Sequence, residues 1–209
     1  MPRPRFDRVE PERRRRLLAA AAEEFAAHGF SGASLGRLSA AAGFSKAALY
    51  YYFEDKPDLY AGVVEEAWRV LFPAHAFDLD QLTAGSFWPE LRRLYLELLE
   101  RGQRETWLPA AGKLIYDPAP APGAGAVVEG LFARVRGSLV RLIERGQRLG
   151  CVRDDLPPEL LQELLMALAQ TADRWMVRHW SELAPEAIDA TARRIFALFE
   201  RLLRGEGAR

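Results

Sequence analysis

Lys46, Tyr50, Tyr51 and Tyr52, with Ser34, Arg37, Ser45 and Lys56 around them, crowd cations and hydroxyl groups into residues 34–56. Phosphate oxygens and the acceptor edges of base pairs take hydrogen bonds from such groups. Ala47 and Ala48 stand among them, small enough to let a backbone approach a base pair or touch a thymine methyl. The chemistry this suggests is recognition of a duplex, not bond making. Two short helices and a tight turn would hold the set. Ser34 caps the first and Ser45 the second, each accepting a bond from an otherwise unpaired backbone N–H. Gly43 supplies the positive φ of a sharp reversal between them. Leu35, Leu38, Ala42, Phe44, Leu49 and Phe53 are spaced to bury the inner faces. Lys46, Ala47, Ala48, Tyr51 and Tyr52 are left on the outer side of the second helix, and Tyr50 is expected to turn inward beside Leu49 and Phe53. This is the pattern of a helix-turn-helix whose second helix suits a major groove.

The chain's charge is local. Its 209 residues carry no formal net charge and are 49% apolar, so a sizeable core is assured and any DNA-binding surface must be a patch. In residues 1–16, Arg3, Arg5, Arg8, Arg13, Arg14, Arg15 and Arg16 face only Asp7, Glu10 and Glu12. Phosphate attraction favours such an arm, and the competing reading of the first eight residues is a solvated terminus.

Catalytic sets are absent from the sequence. Cys151 stands alone, which excludes an internal disulfide or a thiolate metal cluster. His28 falls at a helix end, where a cationic ring is favourable, and His75 in irregular sequence. His179 and Glu182 are one turn apart and could share a metal, but a carboxylate di-metal bundle needs two Glu-x-x-His motifs and two further glutamates. No Gly-rich phosphate loop or nucleophile elbow occurs. The expectation is no enzyme, no metal and no cofactor. No apolar run is long enough for a membrane span and no signal peptide is evident, so the expected location is cytoplasmic with no membrane partner.

Helical periodicity runs from end to end. The first helix starts near Pro11, carries Leu17, Leu18, Ala21, Ala22 and Phe25 on one face, and stops at His28–Gly29. The helix-turn-helix follows, and a fourth helix runs from Lys56–Pro57 to Phe72–Pro73. Further helices are expected at about 87–101, 103–116, 126–149, 158–180 and 185–203, with a proline-rich breaker at 117–125. The fold class is all-α with about nine helices. Residues 9–54 form a three-helix helix-turn-helix DNA-binding head, and residues 55–209 a larger, second helical domain.

The sequence resembles the TetR family of bacterial one-component transcriptional regulators. The resemblance rests on Phe25-Ala-Ala-His-Gly-Phe-Ser-Gly-Ala-Ser34, on Leu38–Ser39 with Ala42-Gly-Phe-Ser45, and on Leu49-Tyr-Tyr-Tyr-Phe53 followed by Lys56. It implies that the third helix enters the major groove of an operator and that the protein binds as a dimer. Lys46, Ala47, Ala48 and Tyr51 are then implied at base edges, and Ser34, Ser45, Tyr50, Tyr52 and Lys56 at phosphates. Arg37 is included in the DNA-binding set. Family members commonly have Gly at the position of Ala47, Thr or Ser at Ala48 and His at Tyr52, so the operator sequence does not carry over.

For the second domain the resemblance implies an effector pocket and a homodimer interface. Trp68, Phe72, Phe87, Tyr95, Trp107, Tyr116, Met166 and Trp175 are the pocket candidates, because an apolar ligand site needs large apolar walls with a few polar tips. Aromatic residues at helical spacing also build ordinary cores. Leu160, Leu161, Leu164, Leu165, Leu168 and Ala169, and Ile188, Ala192, Ile195, Phe196, Phe199 and Leu203, form stripes broad enough for an intermolecular bundle of the last two helices. The expected function is a repressor released from a pseudo-palindromic DNA operator by a small apolar or aromatic effector, with the fourth helix relaying the change. The alternative is a helical interaction module without DNA binding.

Overall fold

The computed structural model describes residues 5–72, 78–116 and 120–204, and their regular structure is entirely helical. The elements are α1 (Pro11–Gly32), α2 (Leu35–Ala42), α3 (Lys46–Tyr52), α4 (Lys56–Leu71), α5 (Phe87–Arg104), α6 (Leu108–Ile115), α7 (Ala124–Arg148), α8 (Pro158–His179) and α9 (Pro185–Leu203), with 3-10 turns at Phe6–Arg8 and Leu79–Gln81. The expected all-α architecture is the observed one. His75, Arg3 and the start of the 117–125 breaker lie outside the described residues.

The chain divides into two compact units: Met1–Leu71 with Arg104–Leu131, and Phe72–Gln103 with Phe132–Arg209. In the first, α1 begins at a cap the sequence reading did not name. The Glu10 carboxylate accepts the backbone N–H groups of Glu12 and Arg13, both at 3.2 Å, and Pro11 takes the first helical position. Leu17, Leu18, Ala21, Ala22 and Phe25 are buried as their spacing requires. Gly29, expected to end α1, has φ 65° and breaks the helical path, and one further turn follows to Gly32. α4 opens with two side-chain caps: Asp55 accepts the Asp58 N–H at 2.8 Å and Asp58 accepts the Glu54 N–H at 2.9 Å. Tyr60 on α4 is wholly buried, with Phe25 at 5.1 Å and Phe30 at 6.0 Å, and its hydroxyl donates to the Leu114 carbonyl on α6 at 3.0 Å. α4 and α6 therefore share a core with α1–α3, each fully buried leucine or aromatic contributing about 1.5–3 kcal/mol.

In the second unit Leu82, Phe87, Trp88, Ile143, Val152, Leu161, Leu165, Phe196 and Leu203 form one core. Met176, Ile188 and Ile195 form another, bordered by Tyr95, Trp180 and Phe199. Polar clasps close the margins: Arg92 donates to Glu200 at 3.0 Å, Gln103 to Asp189 at 3.0 Å, and Arg145 to the Leu82 carbonyl at 2.6 Å. No helix among the described residues is long and apolar enough to cross a membrane.

Candidate nucleic-acid interface

The α2–α3 pair is built from local devices. The Ser34 hydroxyl accepts the Arg37 N–H at 3.3 Å, and the Ser45 hydroxyl accepts the Ala48 N–H at 3.1 Å. Between them Gly43 is left-handed (φ 71°, ψ 32°), and the Phe44 N–H reaches back to the Ser39 carbonyl at 2.8 Å. Leu38, Ala42, Phe44, Leu49 and Phe53 are buried, which fixes the rotation of α3. Lys46 and Ala47 stand exposed, and Lys46 makes no hydrogen bond or ion pair among the described residues.

The tyrosines correct one expectation. Tyr50 is 46% exposed and Tyr51 52%, while Tyr52 is half-buried against the core. At about 100° per residue, Tyr50 and Tyr52 lie equally far from the Leu49–Phe53 direction, so periodicity alone does not choose between them. Phe6 chooses. Its ring is 3% exposed and packs 5.7 Å from Tyr52 and 4.8 Å from Phe53, while Phe44 meets Tyr52 edge-on at 6.4 Å. The sequence reading missed Phe6, and the only signal for it was a lone aromatic in a basic arm.

The remaining polar candidates are partly engaged. The Arg37 guanidinium donates to the Glu24 carboxylate and, at 3.0 Å, to the Gly32 carbonyl, and Glu24 also accepts the Ser34 N–H at 2.7 Å. The hydrogen bond from Arg37 holds the Glu24 carboxyl below its ordinary pKa, against the opposing effect of burial. Lys56 donates to the Ser31 carbonyl at 3.3 Å and sits 4.8 Å from the Phe30 ring centroid. Arg37 and Lys56 thus brace the turn behind α3.

The eight pocket candidates are divided between the units. Trp68 packs half-buried on the first core, and Trp107 is buried at the start of α6, its indole N–H 3.3 Å from Glu105 Oε2. Tyr116 is half-buried in the same unit. In the second unit Phe87 and Met166 are buried, and Tyr95 lies 5.6 Å from both Phe196 and Phe199. Burial raises the Tyr95 phenol pKa, with the Asp173 charge adding to it. Phe72 is exposed, as is Trp175, which stacks on His179 at 4.5 Å. A cavity of about 230 Å³ in the first unit is lined by apolar residues, among them Leu18, Val70 and Trp107, and by charged ones, among them Arg14, Glu66 and Glu105. Arg14 pairs with Glu66 at 2.5 Å and Arg15 with Glu105 at 3.5 Å, so the wall is mixed and its charges are partly paired.

The two C-terminal stripes behave differently. Ile188, Ala192, Ile195, Phe196 and Leu203 on α9 are buried within the unit, and Phe199 is half-buried. On α8, Leu161 and Leu165 turn inward, but Leu160 and Leu164 remain 41% exposed, in line with Trp175 farther along and near in kind to Leu198 of α9. Among the described residues no group of three or more His, Cys, Asp or Glu could hold a metal ion.

A family model described as bacterial regulatory proteins, tetR family, matches residues 17–63, from α1 into α4. The HTH-type transcriptional repressor SCO4008 of Streptomyces coelicolor is 30% identical over 166 residues, which cover 75% of this chain and 76% of that protein. Among solved structures, the TetR family transcriptional regulator PfmR of Thermus thermophilus superposes with a TM-score of 0.67 at 22% identity, over 88% of this chain and 97% of that one. The complex of SmeT with triclosan superposes with a TM-score of 0.72 at 16% identity, over 95% and 94%. SmeT is the repressor of a multidrug efflux pump of Stenotrophomonas maltophilia. These two structures share the fold.

Proposed function

The chain belongs to the TetR family of bacterial transcriptional regulators, and on that premise we propose that it is a homodimeric repressor which a small apolar or aromatic effector releases from a pseudo-palindromic operator. It is a DNA-binding regulator and not an enzyme. The observation that carries the reading is the exposed Lys46, without an ion pair among the described residues, beside Ala47 on a helix capped by Ser45 and joined to a Ser34-capped α2 through the left-handed Gly43.

In this reading residues 9–54 are the DNA-binding head and residues 55–209 the ligand-binding and dimerisation part, acting in the cytoplasm. Lys46, Ala47, Ala48 and Tyr51 meet base edges, and Ser34, Ser45, Tyr50, Tyr52 and Lys56 meet phosphates. Arg37 acts through Glu24, setting α2 on α1. The exposed leucines of α8 and Leu198 of α9 pair with their copies across a two-fold axis. Support for an apolar effector comes from the aromatic content of the second part, and from SmeT, a protein of like fold that forms a complex with triclosan. The effector acts only through its different affinity for the bound and released arrangements.

Selection from a random duplex library tests this reading. A recovered palindrome that Lys46→Ala binds roughly thirtyfold more weakly, and from which an apolar compound releases the protein, is the expected result. No enriched sequence at any salt concentration would leave a helical interaction module as the better description.

A further inference from the structure

Two arginines ahead of the helix pair stand on aromatic rings at opposite ends of α3. The Arg5 guanidinium lies 4.8 Å from the ring centroid of Tyr51, at the end of α3, and that of Arg13 lies 4.6 Å from the ring of Phe44, just before the Ser45 cap. Both residues are exposed, and neither forms an ion pair among the described residues. Their neighbours do the opposite. Arg14 pairs with Glu66 at 2.5 Å and with Asp7 at 3.5 Å, and Arg15 pairs with Glu12 at 3.1 Å and Glu105 at 3.5 Å. These four arginines are thus sorted by direction. The arginines that face α4 and α6 are neutralised by carboxylates, and those that flank α3 keep their charge.

A guanidinium on a ring face is positioned without being neutralised, and its N–H edge stays available to a phosphate. Seven helical residues span about 10 Å, close to the roughly 12 Å width of a major groove. Cations at the two ends of a helix set in that groove lie beside its base contacts, where the flanking phosphates run. Phe6 fixes the first of them. It is buried against Phe53 and Tyr52, with Arg14 over its ring at 5.5 Å, in a 3-10 turn closed by the Arg8 N–H to the Arg5 carbonyl at 3.2 Å.

We propose that Arg5 and Arg13 form a two-cation clamp on the phosphates bordering the groove that α3 enters, with Phe6 anchoring Arg5 in place. The clamp rests on the DNA-binding reading above. It extends that reading from the helix-turn-helix to the segment before it, and it assigns Phe6 a positioning role.

The test measures affinity of the full chain for its selected operator across salt concentration. Arg5→Ala and Arg13→Ala each lower affinity roughly fivefold near 0.1 M salt, and each reduces the slope of log affinity against log salt by about one. The preferred sequence stays unchanged, because phosphate contacts carry no base information. Phe6→Ala weakens binding, and Arg5→Ala then adds almost nothing to it, while Arg13→Ala still adds its full effect. Phe6→Leu keeps an apolar anchor and separates loss of positioning from loss of folding, which thermal melting follows. Wild-type affinity and slope in both arginine variants, in a protein whose operator binding Lys46→Ala weakens, overturn the clamp alone. A changed base preference flanking the site also overturns it, by making Arg5 or Arg13 a base reader. Failure of the unaltered chain to bind any duplex overturns this reading together with the one beneath it.

Discussion

α3 and the α8–α9 pair both bury an apolar face, but they leave opposite surfaces behind. α3 turns Leu49 inward and shows Lys46, Ala47, Tyr50 and Tyr51. α8 and α9 turn Leu161, Leu165, Ile195 and Phe196 inward and still show Leu160, Leu164, Trp175 and Leu198. The first surface is at ease in water and gains by meeting a phosphate. The second gains about 25 cal/mol for each Å² of apolar area that a partner covers. A polyanion suits one and a second protein surface suits the other, and the proposed function gives the two recognition tasks to these different parts of one chain. The basic segment before α2 repeats this division on a smaller scale, where Arg14 is neutralised and Arg13 is not.

The sharpest way to break the comparison is to make the second surface resemble the first. Leu164→Glu with Leu198→Glu places two charges at a desolvated interface, and operator affinity falls on the order of 100-fold, about 2.7 kcal/mol, as the protomers separate. Sedimentation velocity should show monomers of unchanged helicity. Lys46→Ala strikes the other surface and costs roughly 2 kcal/mol of operator binding without altering the melting temperature or the dimer. Gly43→Ala forces a side chain into a left-handed turn and destabilises the head by about 1–2 kcal/mol, read by thermal melting. Ser45→Ala removes the α3 cap at a cost of about 1 kcal/mol in the same assay.

The smallest effect is on pH. Glu24 and Glu66 both have lowered pKa values. The hydrogen bond from Arg37 holds Glu24 down; at Glu66 burial pushes up, but the bonds from Arg69 and Arg14 outweigh it. Depressed carboxyls contribute their stability above the ordinary value of 4.5 and lose it as pH falls through the lower folded value. The unit holding α3 should therefore lose stability below pH 4.5, and Glu24→Gln with Glu66→Gln should flatten that decline.

Local rules made the helices and the DNA-facing elements legible in the sequence. Caps at Ser34 and Ser45, the glycine between them and the 3.6-residue period act over a few residues, and each appears where the pattern put it. Tyr50 and Tyr52 were not separable, because the residue that decides between them, Phe6, lies more than forty positions upstream. The same limit applies to the C-terminal helices. Periodicity marks the stripe from Ile188 to Leu203 and the stripe from Leu160 to Leu168 as apolar, but only packing reveals that the first is used within the unit and the second is half left over. Arg37 carried no mark of its partner either, since Glu24 comes from another helix.

Operator binding measured while the spacing of the two half-sites is varied tests the central assignment most directly, because it engages both surfaces at once. Two heads on one rigid dimer need half-sites whose centres lie a whole helical turn, about 10–10.5 base pairs, or a multiple apart. Inserting about five base pairs at the centre of the selected operator should abolish tight binding, and a full turn should alter it far less. Leu164→Glu with Leu198→Glu should remove the dependence on spacing along with the affinity. Equal affinity at every spacing, or spacing dependence that survives in a monomeric variant, would contradict the assignment of α3 to the DNA and of α8 and α9 to the partner.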